Sequence, residues 1–129
     1  MSDIINMLKS RTDLYSLQGV SDEDIKEVED GLGIMFAPDY RDILSEYGVI
    51  SFDGHELTGI CLSPRLNVKD ITLKERNNNA IATRSMYVIE VANIDDIVIW
   101  QSSDGGIYQT LKGCEPVKIC ESLLEYINS

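Results

Sequence analysis

An α+β fold, a largely antiparallel β-meander with helices packed on one side, is what the order of apolar patterns along this chain predicts. Helical spacing fills the front: Ile25, Val28 and Leu32 share one face, and Tyr40, Ile43, Leu44 and Tyr47 follow at i, i+3, i+4 and i+7. Strand-like runs rich in Ile and Val fill the back half, and Ile97-Val98-Ile99-Trp100 is the most continuous of them. Behind it, Asp104-Gly105-Gly106 writes a tight hairpin turn, because Asp-Gly supplies the positive φ that such turns demand. At 129 residues and 43% hydrophobic content, the chain is expected to form a single domain over residues 1–129.

Each element has its own local signal. Ile4, Ile5 and Leu8 after Ser2 predict a short first helix. Ser21 with Asp24 three residues on reads as an N-cap with an acidic N3 partner, opening a helix that stops at Leu32-Gly33. Pro38 takes a first-turn position, where the missing N–H is tolerated, and Gly48 closes the helix that follows. Ser51 to His55 reads as a loop turning at Asp53-Gly54, and Glu56 to Cys61 as a strand broken by Pro64. Asn67 opens a helix to about Arg76, and Asn77-Asn78-Asn79 punctuates a loop. Met86 to Ala92 and Asp96 to Gln101 read as strands, the second a central one buried on both faces, with Gly106 to Leu111 returning from the hairpin. Pro116-Val117-Lys118 reads as a short edge segment, and Cys120, Leu123, Leu124 and Ile127 as the apolar face of a terminal helix.

Glu29, Leu32-Gly33, Asp39-Tyr40, Ile43-Leu44 and Gly48 together resemble the front-half signature of the Smi/Knr, or SUKH, superfamily. That signature runs Glu-x-x-Leu-Gly, a short spacer, Pro, then Tyr-x-x-Phe-Leu and a glycine. Glu56-Leu57-Thr58-Gly59-Ile60 resembles the family's first strand, and Asp96 to Trp100 with Asp104 to Tyr108 its central hairpin, so the likeness runs from Ser21 to Tyr108. Three positions depart from it: Pro38 stands one place late, at the family's usual proline position is Ala37, Ile43 replaces the common Phe, and Tyr47 the Asn before the glycine. None alters the hydrophobic spacing. The resemblance implies the same architecture, and it implies function: bacterial members are mostly immunity proteins, encoded beside polymorphic secreted toxins, that bind a toxin domain, often a nuclease or a deaminase. Fungal members are regulatory scaffolds in the control of cell-wall synthesis, longer and with disordered flanks.

The net charge of −11 is unevenly placed. From Ser21 to Glu56, 11 acidic residues stand against Lys26 and Arg41, whereas from Arg65 to Arg84 five basic residues stand against Asp70 and Glu75. Nucleic acid and anionic membrane surfaces are poor partners for such a chain, since both call on clustered Lys and Arg. A basic protein suits it best, through steering of encounter as well as contact. No run of about 18 apolar residues is present to span a bilayer, and Met1 to Arg11 lacks a basic n-region followed by an apolar h-region. Cys61, Cys114 and Cys120 make an odd count without a C-x-x-C pair. That suits reduced thiols, and a cytoplasmic location is expected.

Parts for catalysis are scarce. His55 is the single histidine, in a polar stretch beside Asp53 and Glu56, which reads as a solvent-exposed loop residue. The sequence has no nucleophile elbow and no P-loop, and the acids Asp22-Glu23-Asp24 lack the glycine of a calcium loop, Glu27 standing in its place. With 22 acidic residues, some carboxylate pair falls at glycosidase spacing by chance, so pairing carries no information. A non-enzymatic binding protein is therefore expected, with no cofactor and no metal. Acids at the start of a helix have a local explanation in capping and the macrodipole, whereas Asp53, Glu56, Asp95, Asp96 and Asp104 sit in loops or at strand ends. Alternation puts Trp100 on one face of its strand with Tyr108 across the hairpin, and admits either burial under a helix or exposure as an apolar anchor. The expected partner-binding set is accordingly Asp53, Glu56, Asp95, Asp96, Trp100, Asp104 and Tyr108.

Overall fold

The computed structural model describes residues 3–52, 55–63, 65–77, 84–91, 97–111 and 115–128. In chain order they form α1 (Asp3–Lys9), β1 (Tyr15–Ser16), α2 (Asp22–Leu32), α3 (Pro38–Glu46), β2 (Ile50–Phe52), β3 (His55–Glu56), α4 (Val68–Arg76), β4 (Met86–Val91), β5 (Val98–Ser102), β6 (Ile107–Thr110), β7 (Val117–Cys120) and α5 (Leu123–Asn128). Two antiparallel sheets result, a small one in the order β1-β2-β3 and a larger meander in the order β4-β5-β6-β7. The α+β class is as the patterns predict.

Capping chemistry sets the helix ends. Ser21 Oγ accepts from Asp24 N at 3.2 Å, and Gly33, at φ 72°, ends α2 by donating back to Glu29 O and Asp30 O. Asn67 Oδ1 accepts from Lys69 N at 3.0 Å and Asp70 N at 3.2 Å to start α4. The β5–β6 turn places Gly105 at φ 100°, the left-handed region the Asp-Gly pair predicts.

Helices α1, α2, α3 and α5 bury Ile4, Leu8, Ile25, Leu32, Tyr40, Leu44 and Leu123 against one face of the meander, where Tyr87, Ile89, Ile99 and Ile107 lie. On the other face, Ile71 of α4 joins Met86, Val88, Val98 and Trp100 in a second cluster, so the helices cover both faces of the meander and not the one side expected, because β5 is apolar on both. β5 is thus buried on both faces, as its continuous apolar run implies.

Three local expectations change, and one short strand goes unforeseen. The run Glu56 to Cys61 pairs as a strand only at His55–Glu56. Beyond it, Leu57 N donates to Ile50 O at 3.0 Å and Thr58 N to Ile89 O at 2.8 Å, so this segment stitches the small sheet to the large one. Gly59 then crosses against the Gly48 backbone so closely that a Cβ would lie 1.7 Å from Gly48 O, a contact only glycine permits. Ser51 and Phe52 pair with Glu56 and His55 as antiparallel strands where a loop is expected, while Asp53 and Gly54, the expected turn, lie outside the described residues. β1 pairs Tyr15 with Ser51 and Ser16 with Ile50, yet both its residues are exposed and no alternation marks it. Cys120 ends β7 opposite Ile107 instead of entering α5; it is buried all the same, as free cysteine usually is.

Candidate functional site

Most side chains of the front-half signature, Glu29, Leu32, Tyr40, Ile43 and Leu44, are spent inside the molecule. The Glu29 carboxylate is buried, accepts from Phe36 N at 2.7 Å and faces Arg41 Nη2 at 3.7 Å, which folds the α2–α3 linker back onto the helix. Asp39 reaches three elements: its Oδ1 accepts from Tyr40 N at 2.7 Å and Gln101 Nε2 at 3.1 Å, and its Oδ2 from Leu123 N at 3.2 Å. Gln101 passes the chain on, its Oε1 accepting from Tyr87 Oη at 2.5 Å, while Tyr87 Oη accepts from Ala37 N at 2.9 Å. Tyr40 Oη donates to Thr58 O at 3.0 Å, and Thr58 Oγ1 in turn donates to Val88 O at 2.7 Å. Burial pushes both phenols, Tyr40 and Tyr87, well above their ordinary range, so they serve as neutral hydrogen-bonding groups. This lattice ties α3, the meander strands β4 and β5 and the start of α5 together, so Glu29, Asp39 and Tyr40 are engaged in holding the fold.

The expected binding residues are dispersed. Asp53, Asp95 and Asp96 lie outside the described residues. Trp100 is 1% exposed, packed beneath α4 beside Ile71, with Nε1 donating to Thr110 Oγ1 at 2.8 Å. Of the two placements its alternation admits, burial is the one found, and an anchoring role on the surface falls away. Tyr108 is half-buried against the edge of the same cluster. Glu56 is held by Arg65 through paired guanidinium–carboxylate bonds, the second at 3.2 Å, and that hydrogen bonding keeps its carboxyl below the usual range. Asp104 accepts from Ser102 Oγ and, at 3.0 Å, from Gly106 N; the Ser102 bond is the main cause of its lowered pKa. Its carboxylate therefore shapes the turn. Glu56, beside Glu90 near one end of β5, and Asp104, past the other end, are separated by on the order of 15 Å of strand.

Two features escape sequence reasoning. His55 is not an exposed loop residue: its Nδ1 lies 3.1 Å from Glu90 Oε1, and its ring lies tilted against Phe52 and edge-on to Tyr126. Glu90 is buried and also accepts from Glu56 N at 3.0 Å and from Tyr126 Oη. A β-bulge between Val88 and Glu90 is responsible, since the extra residue turns both Ile89 and Glu90 toward the helix layer carrying Tyr126. Burial, then the Glu90 carboxylate, pushes the Tyr126 phenol upward, so its proton stays in place. The group joins β3, β4 and α5, and its one early signal was the lone acid in Met-Tyr-Val-Ile-Glu-Val. Among the described residues, no cluster of three or more His, Cys, Asp or Glu has the arrangement of a metal site.

The second feature is a hollow of about 630 Å³ between α2 and α3, floored by Ile25, Phe36 and Pro38 and edged by Asp22, Lys26 and Asp42. A smaller hollow of about 390 Å³, bordered by Asp30 and Ile34, adjoins it, and Met35 belongs to both. Met35 is 64% exposed although its neighbour Phe36 is buried. Sequence periodicity is silent here because the linker belongs to neither helix.

The family model SUKH_5, described as SMI1-KNR4 cell-wall, matches residues 1–111 of the chain. No curated protein matches the chain.

Proposed function

The chain belongs to the SMI1-KNR4 family of the SUKH superfamily, and we propose that it is an immunity protein, which binds and neutralises a cognate polymorphic toxin domain, a nuclease or a deaminase, by stoichiometric contact. The observation that carries this reading is the charge and where it lies. Of a net −11, the stretch Asp22 to Glu46 alone holds nine acidic residues against Lys26 and Arg41. Nucleic-acid enzymes hold phosphates in clefts of Lys and Arg, so an acidic protein presents them with the charge of their own substrate. The interior use of Glu29, Asp39 and Tyr40 supports the same reading, because a scaffold that consumes its signature inside leaves the exterior free to vary with the partner. In this role the protein acts in the cytoplasm, without a cofactor and without turning over its target.

The words "cell-wall" in the description of the matching family favour a second reading, a regulatory scaffold in cell-wall synthesis control. Co-expression separates the two. Production of this chain should rescue cells from one toxin domain, first to be sought in the neighbouring gene, and leave unrelated domains lethal, because shaped contacts and not charge alone set specificity. Stopped-flow association with the rescued domain should slow by on the order of ten-fold from low to physiological salt as the long-range field is screened. Equal rescue from every basic toxin, or from none including the neighbour's product, counts against immunity; a salt-independent rate counts against steering.

A further inference from the structure

Met35 is held out of the molecule by its own surroundings. The Glu29 carboxylate draws Phe36 N inward at 2.7 Å, so Phe36 packs into the core and the residue before it is turned to solvent. Ser103 Oγ, from the β5–β6 turn, donates to Met35 O at 2.5 Å and fixes the linker backbone from the other side. A flexible, polarisable side chain thus stands on a fixed base between two hollows, with Ile25, Ile34, Phe36 and Pro38 as the apolar ground around it. Methionine in that setting adapts to an incoming apolar group at little cost.

The margin gives the sign of what fits. Arg41 is engaged with Glu29 at 3.7 Å, and the carboxylates of Asp22, Asp30 and Asp42 make no hydrogen bond or ion pair with the described residues, so they surround the hollows with unspent negative charge against Lys26. Glu56 and Asp104, by contrast, are committed to Arg65 and to the β5–β6 turn. A second copy of this chain would bring the same balance of nine acids to two bases on α2 and α3 against itself, which disfavours self-association here.

We propose that the α2–α3 hollow, with Met35 at its centre, is the docking surface for a cationic protein segment, one that inserts an apolar side chain beside Met35 and sets Lys or Arg against Asp22, Asp30 and Asp42. The proposal rests on the immunity reading for the identity of the partner, while the chemistry of the occupant follows from the hollow itself. Apolar centre and charged rim divide the work in the usual way, the first giving affinity and the second rate and selectivity.

Two measurements on the full chain test it. Against a toxin domain that co-expression shows to be rescued, Met35→Lys should weaken binding by about ten-fold or more, whereas Met35→Leu and, away from the hollow, Glu56→Lys should each stay within about three-fold of the parent. Met35 is exposed, so these variants are expected to fold, and unchanged thermal midpoints check that. The second measurement needs no toxin: ¹⁵N-labelled protein is titrated with a synthetic peptide of one leucine flanked by lysines. Shift changes centred on Ile25, Ile34, Met35 and Ser103, abolished in Met35→Lys, support the site. Changes centred on β7 or around Glu56, changes at Met35 that track protein concentration without peptide, or no changes at all overturn it. Failure of rescue with a positive peptide titration would remove the immunity reading and leave the docking surface standing.

Discussion

Trp100→Ala is expected to cost about 3–5 kcal/mol of stability, the range for truncating a large aromatic in a closed core, and most of what a domain of ordinary stability has to lose. The side chain is 1% exposed and touches the cluster of Ile71, Met86, Val88 and Val98, so its removal opens a cavity between α4 and the meander. Trp100→Phe keeps most of the volume and deletes the Nε1 donor to Thr110 Oγ1, leaving a buried hydroxyl short of one bond at about 1–2 kcal/mol. Urea unfolding gives both values. Because Trp100 lies wholly under α4, the Phe variant should bind a toxin domain within about two-fold of the parent once both are folded. A large loss of affinity with unchanged stability would put the indole in the interface after all.

Asp39→Ala should be nearly as damaging, at about 2–4 kcal/mol, since it strips three donors of their acceptor at once: Tyr40 N, Gln101 Nε2 and Leu123 N. The effect should be spatially graded. Gln101 retains Gly105 O as a second acceptor at 3.1 Å, whereas Leu123 N opens a helix of six residues that depends on this bond for its start. Amide exchange in α5 is therefore expected to accelerate first, ahead of α3. Asp39→Asn should fall between, because Oδ1 survives while an amide group meets the Leu123 N–H. If Asp39→Ala instead keeps its stability and loses only partner binding, the carboxylate belongs to a binding site and not to the lattice.

What the chain reveals before folding follows from how local each signal is. Ser21, Gly33, Pro38, Asn67 and Gly105 act within a few residues, and the helices and hairpin they delimit are where they indicate. Trp100 needed the position of α4 to decide between burial and display, a contact from 29 positions earlier at Ile71 that no periodicity reports. Glu90 was hidden by a bulge, which shifts the very alternation used to assign faces. Glu56 and Asp104 looked free because their partners, Arg65 and the Ser102 hydroxyl, are recognisable only once the loops close. Met35 sits in a linker with no pattern of its own, and its exposure is imposed from outside by Glu29 and Ser103. The acids in the first turn of α2 stand at the positive end of its dipole, a local role the sequence does report, but that Asp22 also borders an apolar hollow emerges only when α3 packs beside it.

The most direct measurement is a titration of toxin activity. A fixed amount of the toxin domain that this chain rescues in cells is mixed with increasing full-length protein at concentrations well above their dissociation constant, and residual activity is read at equilibrium. A stoichiometric binder predicts a straight decline to zero at one equivalent, reversed when the complex is separated. Loss of activity at a small fraction of an equivalent, growing with time and persisting after separation, would mean that the protein acts on the toxin as a catalyst and would contradict the account.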